Sequence, residues 1–343
     1  MAPGSAVAEC PWAGFHRDCG KADIPRVEQP SSWSCVALPA LAVGILYLGG
    51  CAHGDGVPSG RASLLPDVSG LAGIGGERFL AVHDAKYPEE AGFPRISVLE
   101  IPSGLDGIRW TALDVAFPDQ PASDLESVAR IPGATDRFLV AESTEDAAGR
   151  PFSNRIFVLE MTGAGAAVVD HAVWPVPTTN VEGIAVAEAG DGRLLFLFAE
   201  RADGEPSTEI RFAEVSLAPL RFGEFRSAGW FASPSPTGPA ARPVAALEVD
   251  ALGSVYVASA EDPDQDGGPF RSAVYRIGRI VRDSGAVELD AAPTLIGTLD
   301  GLKVESLTAR QRPDGTLEIW VGVDDEYYGG TMRPLPAPAI ASP

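Results

Sequence analysis

Hydrophobic and polar positions repeat along this chain in one fixed order: a six-residue motif, a turn that contains glycine, and a strongly apolar run. The motif occurs five times, and its third positions are 56 to 63 residues apart. The five copies are Asp67–Ala72, Asp124–Ala129, Asn180–Ala185, Pro243–Glu248 and Lys303–Thr308. A fixed period of this length indicates a repeat architecture.

Each repeat has the features of a β-hairpin followed by further strands. The apolar runs after the turns include Arg137–Glu142 and Leu194–Glu200. Short apolar runs joined across glycine turns predict hairpins, and near-continuous apolarity predicts strands that are buried on both faces. Because three or four strands per repeat are typical of a propeller blade, we predict an all-β chain folded as a β-propeller.

The number of repeats favours five blades. Six blades stay open, although one of them would lack a visible motif. Since the fifth repeat is short, we expect Arg61–Leu65 to supply a strand that closes the ring. A pair of β-sandwiches is the alternative, but it does not naturally explain the period.

The N-terminal region has the features of an export signal. Residues 36–50 carry no charge and are followed by Cys51. This stretch is short for a membrane span and has the length of a signal-peptide hydrophobic region. The junction Leu48–Cys51 resembles the bacterial lipobox, which implies that Cys51 is lipidated and becomes the first mature residue. Another export signal and a buried core segment stay open.

These patterns divide the chain into four parts. Residues 1–50 form the signal or export segment, and residues 51–66 form a tether rich in Gly, Ser and Pro. Residues 67–335 form the propeller, and residues 336–343 form a C-terminal tail. All four cysteines lie within the first 51 residues, so the propeller has no disulfide, no cysteine-based zinc site and no cysteine nucleophile.

The net charge of −21 restricts the partners. A field of this sign repels nucleic acid and anionic membrane surfaces. We therefore expect no nucleic-acid partner and membrane contact only through a lipid anchor. We expect an exported monomer that is periplasmic or anchored at the outer membrane, and that binds a small ester or phosphoester or a protein partner.

Carboxylates are predicted to converge at one mouth of the propeller. The first strand of a hairpin begins where the second strand ends, so the start of the motif and the end of the apolar run share one face. Glu126, Glu182 and Glu305 occupy the same motif position. Converging carboxylates need protons, basic partners or a bound cation, and such hard oxygen ligands suit Ca²⁺. We predict these three as metal ligands, and the alternative is that acids here cap hairpin turns or pair with Arg in the next blade.

Two further features carry candidate chemistry. The segment Asp262-Pro-Asp264-Gln-Asp266-Gly267 places three carboxylates on a tight loop, which predicts a Ca²⁺-binding hairpin loop or a solvated acidic turn. The predicted rim also holds His83 beside Asp84, which are candidate catalytic residues with the histidine as base or ligand.

Three segments are similar to the phytase-like family, also described as having esterase-like activity of phytase. They are Asp124–Ser143, Gly70–Asp84 and Asn180–Ala185. The resemblance covers about residues 65–330, and it implies an exported propeller with phosphoesterase or esterase activity and clustered calcium ions. The sequence therefore leaves two functions open: a calcium-dependent ester or phosphoester hydrolase, and a non-catalytic, lipid-anchored binding protein.

Overall fold

Twenty strands and no helix make up the part of the chain that the computed structural model describes. This part comprises residues 65–86, 93–102, 107–144, 153–163, 165–265, 267–312, 314–324 and 329–335. Within it, no helix is long and apolar enough to cross a membrane. The signal segment, Cys51 and residues 61–64 of the expected closing strand lie outside the described residues.

The strands form five antiparallel sheets, one for each motif copy, and confirm the five-bladed propeller. Blade 1 contains β1 (Gly70–Gly75), β2 (Arg78–Val82), β3 (Ile96–Glu100) and β4 (Arg109–Leu113). Blade 2 contains β5 (Leu125–Arg130), β6 (Arg137–Glu142), β7 (Arg155–Thr162) and β8 (Gly165–Val173). Blade 3 contains β9 (Val181–Glu188), β10 (Leu194–Glu200), β11 (Thr208–Leu217), β12 (Leu220–Phe222) and β13 (Arg226–Phe231). Blade 4 contains β14 (Ala241–Val249), β15 (Ser254–Glu261), β16 (Arg271–Val281) and β17 (Ala286–Asp300). Blade 5 contains β18 (Val304–Gln311), β19 (Leu317–Val323) and β20 (Thr331–Leu335).

The motif strands β1, β5, β9, β14 and β18 line the central axis. Each contacts the motif strand of both neighbouring blades, in a closed cycle that returns from β18 to β1. One closed ring excludes the alternative of two sandwiches. It also places every motif copy at the same depth around one channel.

The hydrophobic core lies between the blades rather than within one layer. Each of the five clusters of buried apolar side chains is shared by two adjacent blades. In the cluster between blades 1 and 2, for example, Leu80 of β2 packs with Phe138 of β6 and Phe157 of β7. The inner strands are apolar on both faces because each sheet is covered by a neighbour on either side, as the sequence pattern predicts.

A small residue at the fourth motif position lets adjacent inner strands approach closely. A Cβ atom added to Gly183 would lie 2.8 Å from the backbone nitrogen of Leu247 in the next blade. Two copies carry serine here, and both hydroxyls bond to the following blade: Ser127 donates to the carbonyl oxygen of Glu182 at 2.7 Å, and Ser306 donates to that of Val68 at 2.8 Å.

Blades 5 and 1 are joined by several contacts besides the Ser306 hydrogen bond. The rings of Phe79 and Trp320 lie 5.4 Å apart between their centroids. The backbone nitrogen of Gly330, just before β20, donates to the carbonyl oxygen of Leu65 at 2.7 Å. Blade 5 has three strands among the described residues. The fourth strand expected over Arg61–Leu65 stays a prediction, because residues 61–64 lie outside the described residues.

Candidate functional site

The propeller has one mouth at which the motif strands begin and the second strands end, here called the upper mouth. The register places Leu125 opposite Glu142, Val181 opposite Glu200 and Val304 opposite Val323. The start of each motif and the end of each apolar run therefore share one face, as the hairpin argument predicts.

The three motif glutamates lie buried at this end of the channel. Glu126, Glu182 and Glu305 are 4%, 3% and 6% exposed. Together with Ser69, the corresponding residue of blade 1, they line a space of about 10 Å³. This volume is close to the smallest space that holds one water molecule.

Four basic side chains lie among the carboxylates, and together with the carboxyl groups that they contact we call them the rim network. Lys86 Nζ lies 3.5 Å from Glu126, Arg201 Nη1 lies 3.1 Å from Glu182, and Arg242 Nη1 lies 3.2 Å from Glu305. Each motif glutamate therefore has a cationic partner. Lys86 and Arg242 reach Glu126 and Glu305 from a neighbouring blade, whereas Arg201 and Glu182 belong to the same blade.

Arg242 joins the carboxylates of three blades. Its guanidinium lies 3.3 Å from Asp203, 2.8 Å from Asp262 and 3.2 Å from Glu305. Asp203 follows β10, Asp262 follows β15, and Glu305 belongs to β18, so a single side chain bridges blades 3, 4 and 5.

Lys303, at the first position of the fifth motif, extends the rim network to the seam between blades 5 and 1. It contacts Asp262 at 3.4 Å, Glu305 at 3.3 Å, and also Asp324. The carboxyl groups of Asp324 and Asp67 interact across this seam, and each has its pKa raised by burial.

The upper mouth contains acids with very different proton affinities. Burial raises the pKa of Glu182 to about 7, with the charge of Glu305 adding to it and Arg201 opposing it. Burial and the charge of Glu182 hold the pKa of Glu126 well above its usual range. In Asp262 burial acts in the same direction, but Arg242 and Lys303 outweigh it and hold the pKa below its usual value.

The pKa of Asp324 is raised to about 10 by burial and by the charge of Glu305, although Lys303 opposes this shift. Asp67, across the same seam, has a pKa raised to about 6 by burial and by Asp84. Burial alone would lower the pKa of Lys86, but the charges of Glu126, Asp84 and Asp124 outweigh it and hold this pKa above its ordinary value. The mouth therefore combines protonated and ionised carboxyl groups near neutral pH.

One cluster of three carboxylates offers the oxygen ligands that a hard cation prefers. Oxygens of Asp84, Asp124 and Glu126 lie within 4.8 Å of one another, the one such group among the described residues. Lys86 Nζ already lies 3.2 Å from Asp84, 3.0 Å from Asp124 and 3.5 Å from Glu126. A metal ion here would therefore have to displace an ammonium. Glu182 and Glu305, which were predicted to share a metal with Glu126, are not in this group.

The acidic loop after β15 is partly engaged in other contacts. Asp262 accepts a hydrogen bond from the backbone nitrogen of Asp264 at 2.8 Å, while its other oxygen contacts Arg242 and Lys303. Asp266 lies outside the described residues. Calcium binding by Asp262, Asp264 and Asp266 stays a prediction.

His83 and Asp84 are adjacent in sequence but lie in different environments. His83 is 2% exposed, and its ring nitrogens contact the carbonyl oxygen of Asp67 at 2.7 Å and Ser97 Oγ at 2.8 Å. Burial lowers the pKa of His83 to about 4. This geometry favours a structural role for the histidine. Asp84 is the more accessible of the two, with a side chain 38% exposed beside Lys86.

Several acids at the ends of the second strands stabilise loops. Glu142, with no exposed surface, accepts hydrogen bonds from Ser123, Asn154 and Arg155. Arg155 in turn donates to carbonyl oxygens of Pro118, Gln120 and Pro121. Glu200 similarly accepts from the backbone nitrogen and hydroxyl of Thr179. These residues hold the loops of the upper mouth in place.

The upper mouth also concentrates unusual backbone conformations. Asp124, Thr144, Ala202 and Asp264 have positive φ values of 59°, 74°, 54° and 54°, and each lies beside an end of an inner hairpin at this mouth. A positive φ in a β-branched residue such as Thr144 is costly. Strain of this kind is found where a site requires a fixed geometry.

Sequence reasoning missed most of the basic half of this site. It assigned no role to Lys86, Arg242 or Lys303. The available signal is positional, because Lys303 opens the fifth motif, Arg242 directly precedes the fourth and Lys86 follows the acidic end of a second strand. The contacts across blades require the closed ring and are not visible in any one repeat.

No family model and no curated protein matches this chain. Among solved structures, an endo-arabinase from Bacteroides thetaiotaomicron VPI-5482 is similar at 12% identity and a TM-score of 0.48, over 82% of this chain and 96% of that chain. An endo-1,4-beta-xylanase from the same organism is similar at 13% identity and a TM-score of 0.46, over 78% and 89% of the two chains. An exo-1,5-alpha-L-arabinanase from a bovine ruminal metagenomic library is similar at 11% identity and a TM-score of 0.44, over 80% and 94%. Similarity at this level carries no argument about activity.

Proposed function

We propose that this chain is a hydrolase of small carboxylic or phosphate esters, and that the rim network of the upper mouth is its reaction centre. The observation that carries the proposal is the environment of the Glu182 side chain. Its carboxyl group has a pKa raised to about 7 by burial, beside Arg201 and next to a space of the size of one water molecule. A group that gains and loses a proton near neutral pH is suited to general acid–base catalysis.

Neighbouring groups supply the other requirements of ester hydrolysis. Asp84 is partly exposed and paired with Lys86, and it is the candidate base that takes a proton from the attacking water. Lys86 and Arg201, both partly exposed, can stabilise the negative charge that develops on the carbonyl or phosphoryl oxygen. Glu182 then gives its proton to the departing alcohol as the ester bond breaks.

Calcium stays part of the proposal as a ligand of the acidic rim rather than as a required participant. If it binds, Asp84, Asp124 and Glu126 would hold it, and it would neutralise their charge and polarise an ester oxygen. The competing ammonium of Lys86 makes this binding a direct question for experiment.

The proposal is tested with the full chain and the ethyl esters of acetate, butyrate and phosphate, whose departing alcohol needs a proton, with EDTA or with added Ca²⁺. We expect turnover of at least one ester and a loss of about 100-fold or more in Glu182→Gln. The matched control is Glu224→Gln, which changes an exposed glutamate in the turn before β13 and should retain full activity. Absence of turnover in all conditions, or an unchanged rate in Glu182→Gln, would contradict the proposal.

The second candidate is a binding protein without chemistry. It is favoured by the ion pairs of the rim network, because they already neutralise the motif glutamates and leave a fixed polar surface. Saturable ligand binding at the upper mouth without turnover, weakened by Asp203→Asn, would favour this function. Asp203 tests it directly because its side chain is 52% exposed while contacting both Arg201 and Arg242.

We further propose that the chain is exported and anchored through Cys51, as the lipobox resemblance implies. Metabolic labelling with a palmitate analogue should modify the wild-type chain and not Cys51→Ala. Equal labelling of both chains would contradict the anchor and would leave the proposed hydrolase untouched.

A further inference from the structure

A second cavity opens at the opposite end of the channel, here called the lower mouth, where the motif strands end. Its volume is about 530 Å³, within the range of cavities that bind small molecules. It lies between the ends of the inner strands of blades 1 to 5 and shares none of its lining residues with the space lined by the motif glutamates. It is therefore a separate candidate site.

The carboxyl groups at this mouth are already engaged or exposed. Asp250 accepts hydrogen bonds from the backbone nitrogens of Leu252 and Ser254 at 2.9 and 2.8 Å, and from the hydroxyl of Tyr256 at 3.2 Å. Glu248 accepts from the backbone nitrogen of Val249 at 2.9 Å, and burial raises its pKa to about 8. Glu248 is therefore largely uncharged at neutral pH, and Glu188 is the remaining carboxyl group of the described lining.

Two arginines of the lining retain unused donors. Arg130 donates from Nε to the carbonyl oxygen of Ala134 at 3.2 Å, and Arg282 donates from Nη2 to that of Ala251 at 2.7 Å. Among the described residues neither is in an ion pair, in contrast to Arg310, which contacts Glu77 and Glu318. Because a guanidinium has five N–H donors in a fork that matches a carboxylate, both can take an anionic group.

Apolar side chains complete the wall. Pro132, Val186 and Val249 line the same cavity. A ligand that satisfies both the arginines and this surface has one anionic end and an apolar body.

We propose that the lower cavity binds a small organic carboxylate, with its anionic group against Arg130 or Arg282 and its apolar body against Val186 and Val249. The described lining holds three arginines, two of them with open donors, against the carboxyl groups of Glu188 and Asp250 and the largely uncharged Glu248, so the cavity is not acidic in a chain of net charge −21. The site is independent of the hydrolase proposed for the upper mouth.

The test is isothermal titration of the full chain with hexanoate, alongside hexanamide, which has the same apolar body without the charge. We expect saturable binding of hexanoate, at least tenfold weaker binding of hexanamide, and a loss of at least tenfold in hexanoate affinity in the double variant Arg130→Gln/Arg282→Gln. Both arginines are exposed, so the double variant should keep its melting temperature.

Arg279→Gln is the matched control, because Arg279 is an exposed arginine of β16 that pairs with Glu288 outside the cavity. It should bind hexanoate with unchanged affinity, and so should Glu182→Gln, which separates this proposal from the one for the upper mouth. Absence of saturable hexanoate binding, equal affinity for hexanamide, or unchanged affinity in the double variant would overturn the proposal.

Discussion

The hydroxyl of Ser127 donates a 2.7 Å hydrogen bond to the carbonyl oxygen of Glu182 in the next blade. The small residue of one motif copy thereby fixes the backbone of the glutamate that the neighbouring copy contributes to the channel. The repeat is thus more than a strand signature, because its third and fourth positions act together across the interface between two blades.

Ser127→Ala should lower the free energy of unfolding by about 1–3 kcal/mol, since it removes the donor to a buried carbonyl group. Urea unfolding of the full chain, followed by tryptophan fluorescence, measures this change. Ser284→Ala is the control, because Ser284 lies in the exposed turn between β16 and β17. Equal stability of the two variants would show that the hydrogen bond between the blades contributes nothing.

Arg242→Met should destabilise the chain by about 3 kcal/mol at neutral pH, because it leaves Asp262 and Glu305 buried without this cationic partner. The exposed pair of Arg279 and Glu288 gives the comparison, and Arg279→Gln should change stability by no more than about 0.5 kcal/mol. Urea unfolding compares the two. A loss in Arg242→Met as small as that in Arg279→Gln would contradict the bridging role of Arg242.

Stability should decrease as pH rises from about 4 to about 10. The folded-state pKa values of Asp67 and Asp324 are raised to about 6 and about 10, each from an ordinary value of 3.8. A raised pKa means that the folded state binds the proton more tightly than the unfolded state, so the contribution to stability is full below pH 4 and is lost as pH passes through the raised values. Asp324→Asn should flatten the decrease between pH 6 and pH 10.

Thermal melting across this pH range measures the effect, with Asp283→Asn, in an exposed turn, as the control. A wild-type melting temperature that does not fall, or an Asp324→Asn profile that matches the wild-type profile, would contradict the raised pKa values of Asp67 and Asp324.

Lys86→Met should increase the effect of Ca²⁺ on stability. The ammonium of Lys86 lies among the oxygens of Asp84, Asp124 and Glu126, so its removal leaves a group of hard oxygen ligands without a cation. The rise in melting temperature between EDTA and Ca²⁺ should therefore be larger in Lys86→Met than in the wild-type chain. Equal shifts would exclude calcium binding at this group.

The fold could be predicted because its causes are local. Each motif, its glycine turn and its apolar run form one hairpin, and the five copies repeat at one period. The position of Glu126, Glu182 and Glu305 at one mouth followed from the same periodicity. The strand register places all three glutamates at the mouth that the hairpin argument predicts.

The partners of these glutamates could not be predicted, because they depend on distances between blades. Arg242 directly precedes its own motif, yet it contacts Asp203 of the blade before and Glu305 of the blade after. The environment of His83 shows the same limit. Its position beside Asp84 pointed to the rim, while its burial against Ser97 depends on how β2 and β3 pair.

Glu182 is proposed to donate a proton during hydrolysis at the upper mouth, and the most direct measurement of this role is kcat/KM for a hydrolysed ethyl ester as a function of pH. Because a general acid works in its protonated form and the pKa of Glu182 is raised to about 7, kcat/KM should fall as pH rises through about 7. This limb should be absent from the residual activity of Glu182→Gln and present in Glu224→Gln. A wild-type profile without a limb near pH 7, or the same limb in Glu182→Gln, would contradict the account.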